Sequence, residues 1–577
     1  MRYIRLNNMQ KIENLIKEAL TNLGIEEIDF SVEHPADLKM GDYSTNVSLV
    51  AFKGRRAFEK AIDGNSQTIW VKHGVSKTNP KELADKIVAF LSRSNLDNGI
   101  EKIEVAGPGF INFYLAKDFF QNSVKEILEN KDFGRNKSLQ GQKIMVEHTD
   151  PNPFKEFHIG HLMPNVIGST IARVLAWNGG EVKEACYQGD VGMHVAKAIW
   201  AMLHGLDIKV AYATGSKVFE ENEEAKKEIQ EINKKIYDKS DEKINALYES
   251  GRKESLEYFD SVYKTLGTHF DFFFFESEVA GFGKEIVEKN LGESLPAGRQ
   301  VFEKGDKGAI IFKAENFDKS LHTRVFINSE GLPTYEAKEL GLAKEKYDRY
   351  KYDKSIVITG NEINDYFKVL LCAMKQIFPE LAEKTLHFSH GMLRLPTGKM
   401  SSRSGDVITA ENLIEMLKEK VKGDERVAIG AIKYMILRQA IGGNIIFDLE
   451  KSVSTEGDSG VYLQYSYARA NSILKKAKES KIMSTCEVDN IWQTTELEKL
   501  LYKFPEVVLR AGQEFAPHYI VSYLTELARA YNSFYGNNQI IGEKDPASPY
   551  KVALSEAFSI AMRNGLNVLG IPVLEKM

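Results

Sequence analysis

Between residues 143 and 205 the sequence alternates in a way that leaves few folds open. "KIMVEH" (143–148) is an apolar run of strand length, and Ile159, Leu162, Val166, Ile167, Ile171 and Val174 then recur at helical spacing until Gly179-Gly180. "EVKEACY" (181–187) reads as a second strand, "QGDVG" (188–192) as a turn and "MHVAKAIWAMLHG" (193–205) as a second helix. Short buried strands alternating with helices predict an α/β, doubly wound parallel sheet. The pattern resumes at "SIVIT" (355–359), "GNEINDYFKVLLCAMKQI" (360–377) and "LHFSHGML" (386–393). In such a sheet ligands sit at the carboxyl ends of strands, beside helix N-termini.

The flanks differ in kind. Residues 1–120 read as a small α+β domain: a helical start, "GDYSTNVSLVAF" (41–52), a helix at "PKELADKIVAFL" (80–91), then a "GPG" turn leading into an alternating strand in "IEKIEVAGPGFINFYLA" (100–116). Residues 121–450 form the expected sheet domain, with a helical insertion over about 205–320. Its Lys- and Glu-rich stretch 215–262 reads as solvated helices. Residues 451–577 read as all-helical. There Ile520, Leu524, Leu527, Ala528, Tyr531, Phe534 and Tyr535 share one face, a spacing more typical of core than of a recognition surface. Stretches 54–79 and 294–300 show no clean period and read as inserts.

Composition narrows the class. With 577 residues, 43% hydrophobic and 27% charged, the chain is an ordinary multidomain globular sequence without an apolar run of membrane-spanning length. "MRYIRLNNMQKIENLIKEAL" reads as an amphipathic helix rather than a signal peptide, so a cytoplasmic protein is expected. Cys186, Cys372 and Cys486 lie far apart, which argues against a disulfide framework or a structural zinc site, and no metal-binding residues are expected. A net charge of −5 does not announce nucleic acid, although a local basic face matters more than the total.

Two stretches carry chemistry. "DPNPFKEFHIGHL" (150–162) follows the first strand and opens its helix. Backbone N–H groups and the helix dipole favour phosphate oxygens there, Gly160 lets a flat ligand approach the backbone, and His158 and His161 can donate to a leaving pyrophosphate. A capping histidine and a packing histidine would explain HxGH equally well. "GKMSSRSGDVI" (398–408) sets Lys399 where it could reach the β- and γ-phosphates, with Ser401, Ser402 and Arg403 in support. Lys399 lies 241 residues beyond His158, and the pair of loops is far more specific than either alone.

This pair resembles the HIGH and KMSKS motifs of class I aminoacyl-tRNA synthetases. The surroundings resemble the arginine-specific family: "VEHTDPNPFKEFHIGHL", "QGDVGMHVAKAI", "FDFFFFESE" (270–278), "GVYLQYSYARANSIL" (460–474), "NVLGIPVLEKM" (567–577), and, near the N-terminus, "GDYSTN" and "AGPGFINFYL". The likeness covers nearly the whole chain in the family's order. It implies a Rossmann-like class I catalytic domain between an N-terminal tRNA-elbow-binding domain and a helical anticodon-binding bundle. The implied function is ATP-dependent activation of L-arginine, with Mg²⁺, and transfer to the terminal adenosine of the arginine tRNA, by a monomer whose activation step needs bound tRNA.

Carried over by motif, His158, Gly160 and His161, with Gly360, Met392, Lys399, Met400, Ser401 and Ser402, are expected around ATP, and Lys155 shares the phosphate work. Asn152 matches the residue near the substrate α-amino group and Glu276 the guanidinium carboxylate. Tyr335 and Glu339 in "PTYEAKEL" fall where the family usually shows Tyr and Asp, so the second carboxylate is one methylene longer. "GNEINDYF" (360–367) departs further from the family, with Glu362 and Asn364 as possible substitutes. Tyr462, Tyr465, Tyr535 and Met577 are expected to meet tRNA.

The alternatives are another class I synthetase, a small-molecule nucleotidyltransferase and a non-catalytic tRNA-binding paralogue. Absent zinc-spaced cysteines argue against a cysteine enzyme, and limited room for an editing insertion argues against the branched-chain enzymes. The helical C-terminal region is unexplained on the nucleotidyltransferase reading, and intact signature loops weigh against the paralogue.

Overall fold

The computed structural model of the chain describes residues 8–25, 28–52, 79–93, 99–293, 300–396, 408–487 and 492–577. Its contacts divide into two compact units. Unit 1 comprises residues 1–134, 469–507 and 526–562; unit 2 comprises 135–468, 508–525 and 563–577.

In unit 1, β1 (Val32–Glu33), β2 (Tyr43–Thr45), β3 (Ile100–Ala106) and β4 (Phe110–Leu115) form an antiparallel sheet in the order β1-β2-β4-β3. The Gly-Pro-Gly turn joins β3 to β4, so "IEKIEVAGPGFINFYL" is a hairpin of two strands. Helices Asn8–Asn22 and Pro80–Leu91 bury their apolar stripes, Ile12, Ile16, Ala19 and Leu20 on the first and Leu83, Ala84, Ile87 and Leu91 on the second, into one core that also takes Tyr43, Phe113 and Tyr502.

Unit 2 holds the alternating strands. β5 (Lys143–Glu147), β6 (Glu181–Gln188) and β7 (Phe272–Phe275) come before a small antiparallel sheet of β8 (Glu303–Lys304), β9 (Ile310–Phe312) and β10 (Arg324–Ile327); β11 (Lys354–Gly360) and β12 (Thr385–His390) come after it. The five long-range strands run parallel in the order β12-β11-β5-β6-β7. The direction in which strands are added reverses between β5 and β11, which makes the carboxyl end of β5 the switch point where ligands are expected. The helix Ile159–Trp177 starts there and is buried over most of its length.

The three-stranded sheet β8–β10 was not foreseen from the sequence, because strands of two to four residues carry too little period to be read. "FDFFFFESE" resolves into β7 followed at once by the helix Glu276–Lys289. The aromatic stripe at 520–535 is core, as its spacing suggests: Ile520, Leu524, Leu527, Ala528, Tyr531 and Phe534 are all buried. Tyr535, at the edge of the stripe, is 39% exposed. Among the described residues no helix is long and apolar enough to cross a membrane.

One buried charge in unit 2 makes stability depend on pH. Lys433, in the helix Glu425–Leu437, is buried, and its Nζ donates to the Gly570 carbonyl at 2.7 Å. Burial, reinforced by the Arg173 guanidinium, pushes its ammonium down to about 7. An unfolded lysine titrates near 10.4, so between about pH 7 and pH 10 the unfolded chain binds the extra proton and unit 2 gains stability as pH rises. Lys433→Met removes that dependence. The stability difference, wild type minus variant, is expected to grow in favour of wild type by about 2–4 kcal/mol from pH 7 to 10. Thermal unfolding across that range checks the sign, and a flat difference would refute it.

Candidate active site

The loop after β5 is held in a backbone that L-residues avoid. Thr149, Asp150 and Phe154 have φ of 84°, 45° and 66°, each costing about 1–3 kcal/mol unless its surroundings over-determine it. Here they do. The Thr268 hydroxyl donates to Asn165 Oδ1 at 2.8 Å, and the Asn165 amide donates to Thr149 Oγ1 at 3.2 Å. The Thr149 hydroxyl meets His148 Nδ1 at 2.7 Å, and His148 Nε2 meets Glu184 at 3.0 Å. Donor follows acceptor along this buried chain when His148 carries its proton on Nε2. The Tyr187 N–H donates to Asp150 Oδ1 at 2.7 Å, and the Phe154 N–H to Ser255 Oγ at 2.9 Å.

The strained loop delivers the two histidines. The Gly160 N–H donates to His158 Nδ1 at 3.0 Å, and the His158 N–H donates to His161 Nδ1 at 3.3 Å. Both rings therefore cap the helix, and their planes stack with centroids 3.8 Å apart. Burial, with Lys155 adding, pushes His158 down to about 4, and burial holds His161 well below the ordinary histidine range. Neutral rings whose Nδ1 atoms accept must carry their protons on Nε2. Capping thus leaves each ring an Nε2–H donor, so the capping and phosphate-donor readings of HxGH are compatible. Gly160 is exposed, and a Cβ there would lie 2.7 Å from His158 Cε1, so glycine is what the stacked pair permits. The Lys155 ammonium lies 4.5 Å from the Tyr212 ring centroid.

Lys399, Met400, Ser401, Ser402 and Arg403 lie outside the described residues. The segment that follows them is fixed to the HxGH turn. The Ile159 N–H donates to the Ile408 carbonyl at 3.1 Å and the Ala410 N–H to Phe157 at 2.9 Å, an antiparallel bridge of His158 with Thr409.

Two of the four expected arginine residues, Asn152 and Glu276, meet at Gly189, just past β6. A Cβ on Gly189 would lie 3.2 Å from Glu276 Oε1 and would collide with Asn152 Oδ1, so both side chains converge on its bare Cα. Glu276 opens its helix and is buried; the helix can approach Tyr335–Arg349 because a Cβ on Gly283 would strike the Ala337 carbonyl. That close crossing brings Lys338 to Glu276, with Nζ donating to Oε2 at 2.8 Å. Burial raises the Glu276 carboxyl while Lys338 pulls it back. Glu339 is half-buried in unit 2, and burial with the nearby Glu147 raises its carboxyl. Tyr335 is 60% exposed, its ring 5.3 Å from the Lys338 ammonium.

Asp190 is the residue that reading the sequence passed over, taking it as part of a turn. It is fully buried and accepts from Arg252 Nε at 2.8 Å, Tyr248 OH at 3.1 Å, the Ser277 hydroxyl at 2.7 Å and the Ser277 N–H at 2.8 Å. It thereby fixes the residue next to Glu276. A Gly-Asp pair after a strand, with an arginine and a tyrosine four apart on a later helix, is the only signal the sequence offered.

At the ends of β11 and β12 the fit is looser. The Glu362 carboxylate folds back over the Gly360 Cα, while Asn364 begins the helix Asn364–Ile377. The Met392 N–H donates to Asn444 Oδ1 at 2.8 Å and its carbonyl accepts from Ile445 at 2.9 Å, while its half-exposed side chain takes a contact from Arg394 Nη2 on Sδ at 3.6 Å. Tyr462 and Tyr465 are half-buried on the helix Gly460–Glu479 in unit 2, and Met577 is 52% exposed. In unit 1 the Arg469 guanidinium lies 5.0 Å from the Tyr535 ring centroid. Among the described residues no group of three or more His, Cys, Asp or Glu side chains is placed to hold a metal.

Comparison with known proteins agrees along the whole chain. Residues 123–449 match the family described as tRNA synthetases class I (R), catalytic domain; residues 10–115 match the arginyl tRNA synthetase N terminal domain, and 463–577 the DALR anticodon binding domain. A protein of Borrelia hermsii named arginine–tRNA ligase is 28% identical over 607 residues, covering 98% of each chain. One of Treponema denticola with the same name is 29% identical over 616 residues, covering 98% of this chain and 99% of its own. The arginyl-tRNA synthetase of Thermus thermophilus has the same fold, with a TM-score of 0.77 at 23% identity over 99% of this chain and all of that one. With a catalytic-domain model spanning more than half its length, the chain belongs to the arginine-type class I tRNA synthetases.

Proposed function

We propose that this chain joins L-arginine to its tRNA in two steps. The observation that carries the reading is that one strained loop, 149–161, presents both Asn152, against Gly189 and Glu276, and the two capped histidines with free Nε2–H donors. Amino acid and nucleotide are thus held on a single rigid piece of backbone. In the first step the arginine carboxylate attacks the α-phosphorus of ATP; the bond to the bridging oxygen breaks and pyrophosphate leaves. In the second, a ribose hydroxyl of the terminal adenosine attacks the acyl carbon and AMP leaves. Positioning and charge stabilisation carry such a reaction, with little proton transfer by side chains.

His158 and His161 donate to phosphate oxygens through Nε2, and Gly160 leaves room for the nucleotide. Lys155 and Lys399, with Met400, Ser401 and Ser402, attend the triphosphate, and Gly360 and Met392 border the adenosine. Mg²⁺ prefers phosphate oxygens and water to a protein cage, so it arrives with ATP and neutralises its charge. Asn152 takes the α-amino group, Glu276 the guanidinium, and Tyr335 and Glu339 the wall of that pocket. Residues 1–120 bind the tRNA elbow, 121–450 catalyse, and 451–577 read the anticodon, with Tyr462, Tyr465, Tyr535 and Met577 as contacts. The enzyme works as a cytoplasmic monomer, and its activation step waits for tRNA.

The test is attachment of each of the twenty amino acids to total tRNA with ATP and Mg²⁺. Arginine is expected to be charged in preference to all others by at least about 10³-fold in kcat/KM. Preferential charging of a different amino acid would overturn the assignment.

A further inference from the structure

The Lys338 ammonium sits where a substrate cation is wanted. Its Nζ donates to Glu276 Oε2 at 2.8 Å, and the two side chains are 7% and 4% exposed. The Tyr237 hydroxyl is 3.4 Å away, and the Tyr335 and Tyr237 rings have their centroids at 5.3 and 6.0 Å. A carboxylate flanked by aromatic rings is a complete cation site. Lys338 uses only half of it: Oε1 points to the other side, toward Gly189 and Asn152.

We infer that Lys338 is an internal occupant of the arginine pocket, displaced from Glu276 by the incoming guanidinium, and that it thereby sets the preference for arginine over ammonium-bearing amino acids. The inference rests on Glu276 being the guanidinium carboxylate. Its logic is one of exchange. An ammonium is a point donor that makes one strong contact with a carboxylate oxygen, whereas a guanidinium offers two parallel N–H groups to both oxygens. When lysine or ornithine enters, one ammonium contact replaces another and nothing is gained for the disturbance. When arginine enters, one contact is exchanged for two. The enzyme thus rejects the smaller cations by holding one of their kind already bound.

The experiment uses the full-length enzyme with arginine tRNA and measures KM and kcat for arginine, KM for ATP, and the inhibition constant of ornithine against arginine. Lys338→Met is expected to lower the arginine KM by about three- to tenfold, with little change in kcat, and to tighten ornithine inhibition by roughly tenfold more than that. Lys338→Arg puts the stronger competitor in place; the arginine KM is expected to rise at least about tenfold while the ATP KM stays put. If Lys338 merely supports the fold or the charge of Glu276, both signs reverse: the methionine variant binds arginine worse and the arginine variant restores wild-type behaviour. That result would overturn the inference. Should Lys338→Met fail to fold, Lys338→Arg keeps the charge and carries the decision. A Glu276→Gln control separates the premises. An unchanged arginine KM there overturns the reading of Glu276 and the inference with it, whereas a raised KM there with both lysine variants at wild-type values overturns the inference alone.

Discussion

Glu276→Gln is expected to raise the arginine KM by roughly 10²–10³-fold, the range that follows when one partner of a buried charge-assisted pair is removed. The carboxylate is buried, so a guanidinium bound to it has no water to turn to when one oxygen becomes an amide. The amide N–H groups would then face the substrate's own donors. The ATP KM should move little if, as proposed, the nucleotide meets the histidine end of the loop. Lys338 also loses its partner, so the melting temperature should fall by a few degrees, as expected for roughly 1–2 kcal/mol in a domain of this size. The pH profile carries a further sign. Burial raises the Glu276 carboxyl above its ordinary value. Arginine binding should therefore weaken, as pH falls, sooner than an exposed glutamate would predict. Steady-state aminoacylation at several pH values measures the two KM values and the profile, thermal unfolding measures the midpoint, and an arginine KM within about threefold of wild type would dismiss the role.

Asp190→Ala should be the most destabilising single change in the site. It leaves the Arg252 guanidinium without its carboxylate, takes the acceptor from Tyr248, and uncaps the N-terminus of the Glu276–Lys289 helix at Ser277. Breaking a buried ion pair from one side costs about 3–5 kcal/mol, a shift of roughly 4–6 °C in the midpoint of a unit this large. The arginine KM should rise as well, because Ser277 adjoins Glu276. Differential scanning calorimetry reads the unit's own midpoint. An unchanged midpoint would show that Asp190 is not the support its four hydrogen bonds suggest.

Four of the five strands of the main sheet were legible because they and the helices between them carry their own pattern, whereas β7 is marked only by its family likeness. "KIMVEH" and "SIVIT" have apolar centres of strand length, "EVKEACY" ends in a buried apolar half, and the helices between them repeat every three to four residues. The HxGH turn was legible for a different reason, in that its residue types and its place after a strand suggest phosphate chemistry, whereas the arginine-pocket residues came only from the family likeness. What stayed hidden is whatever depends on a partner distant in sequence. Lys338 looks like any helical lysine until the helix crossing at Gly283 lays it on Glu276. Asp190 looks like a turn residue until a helix some sixty residues later supplies Arg252. Capping by one of the two histidines was foreseen, but that both rings cap was not, because it turns on ring orientation and not on residue type.

The strand order has a consequence for how the chain comes into being. β5 pairs on one edge with β6, a few dozen residues on, but on the other edge with β11, where Lys354 lies opposite Ile144 across 210 residues of chain. A ribosome adds about 5–20 residues per second, so the central strand waits roughly 10–40 s with one edge unpaired. During that interval its apolar sequence is a template for any passing strand. The segment that supplies Arg252 and Glu276 is made in just this window, and nascent-chain chaperones would find their work here, on β5.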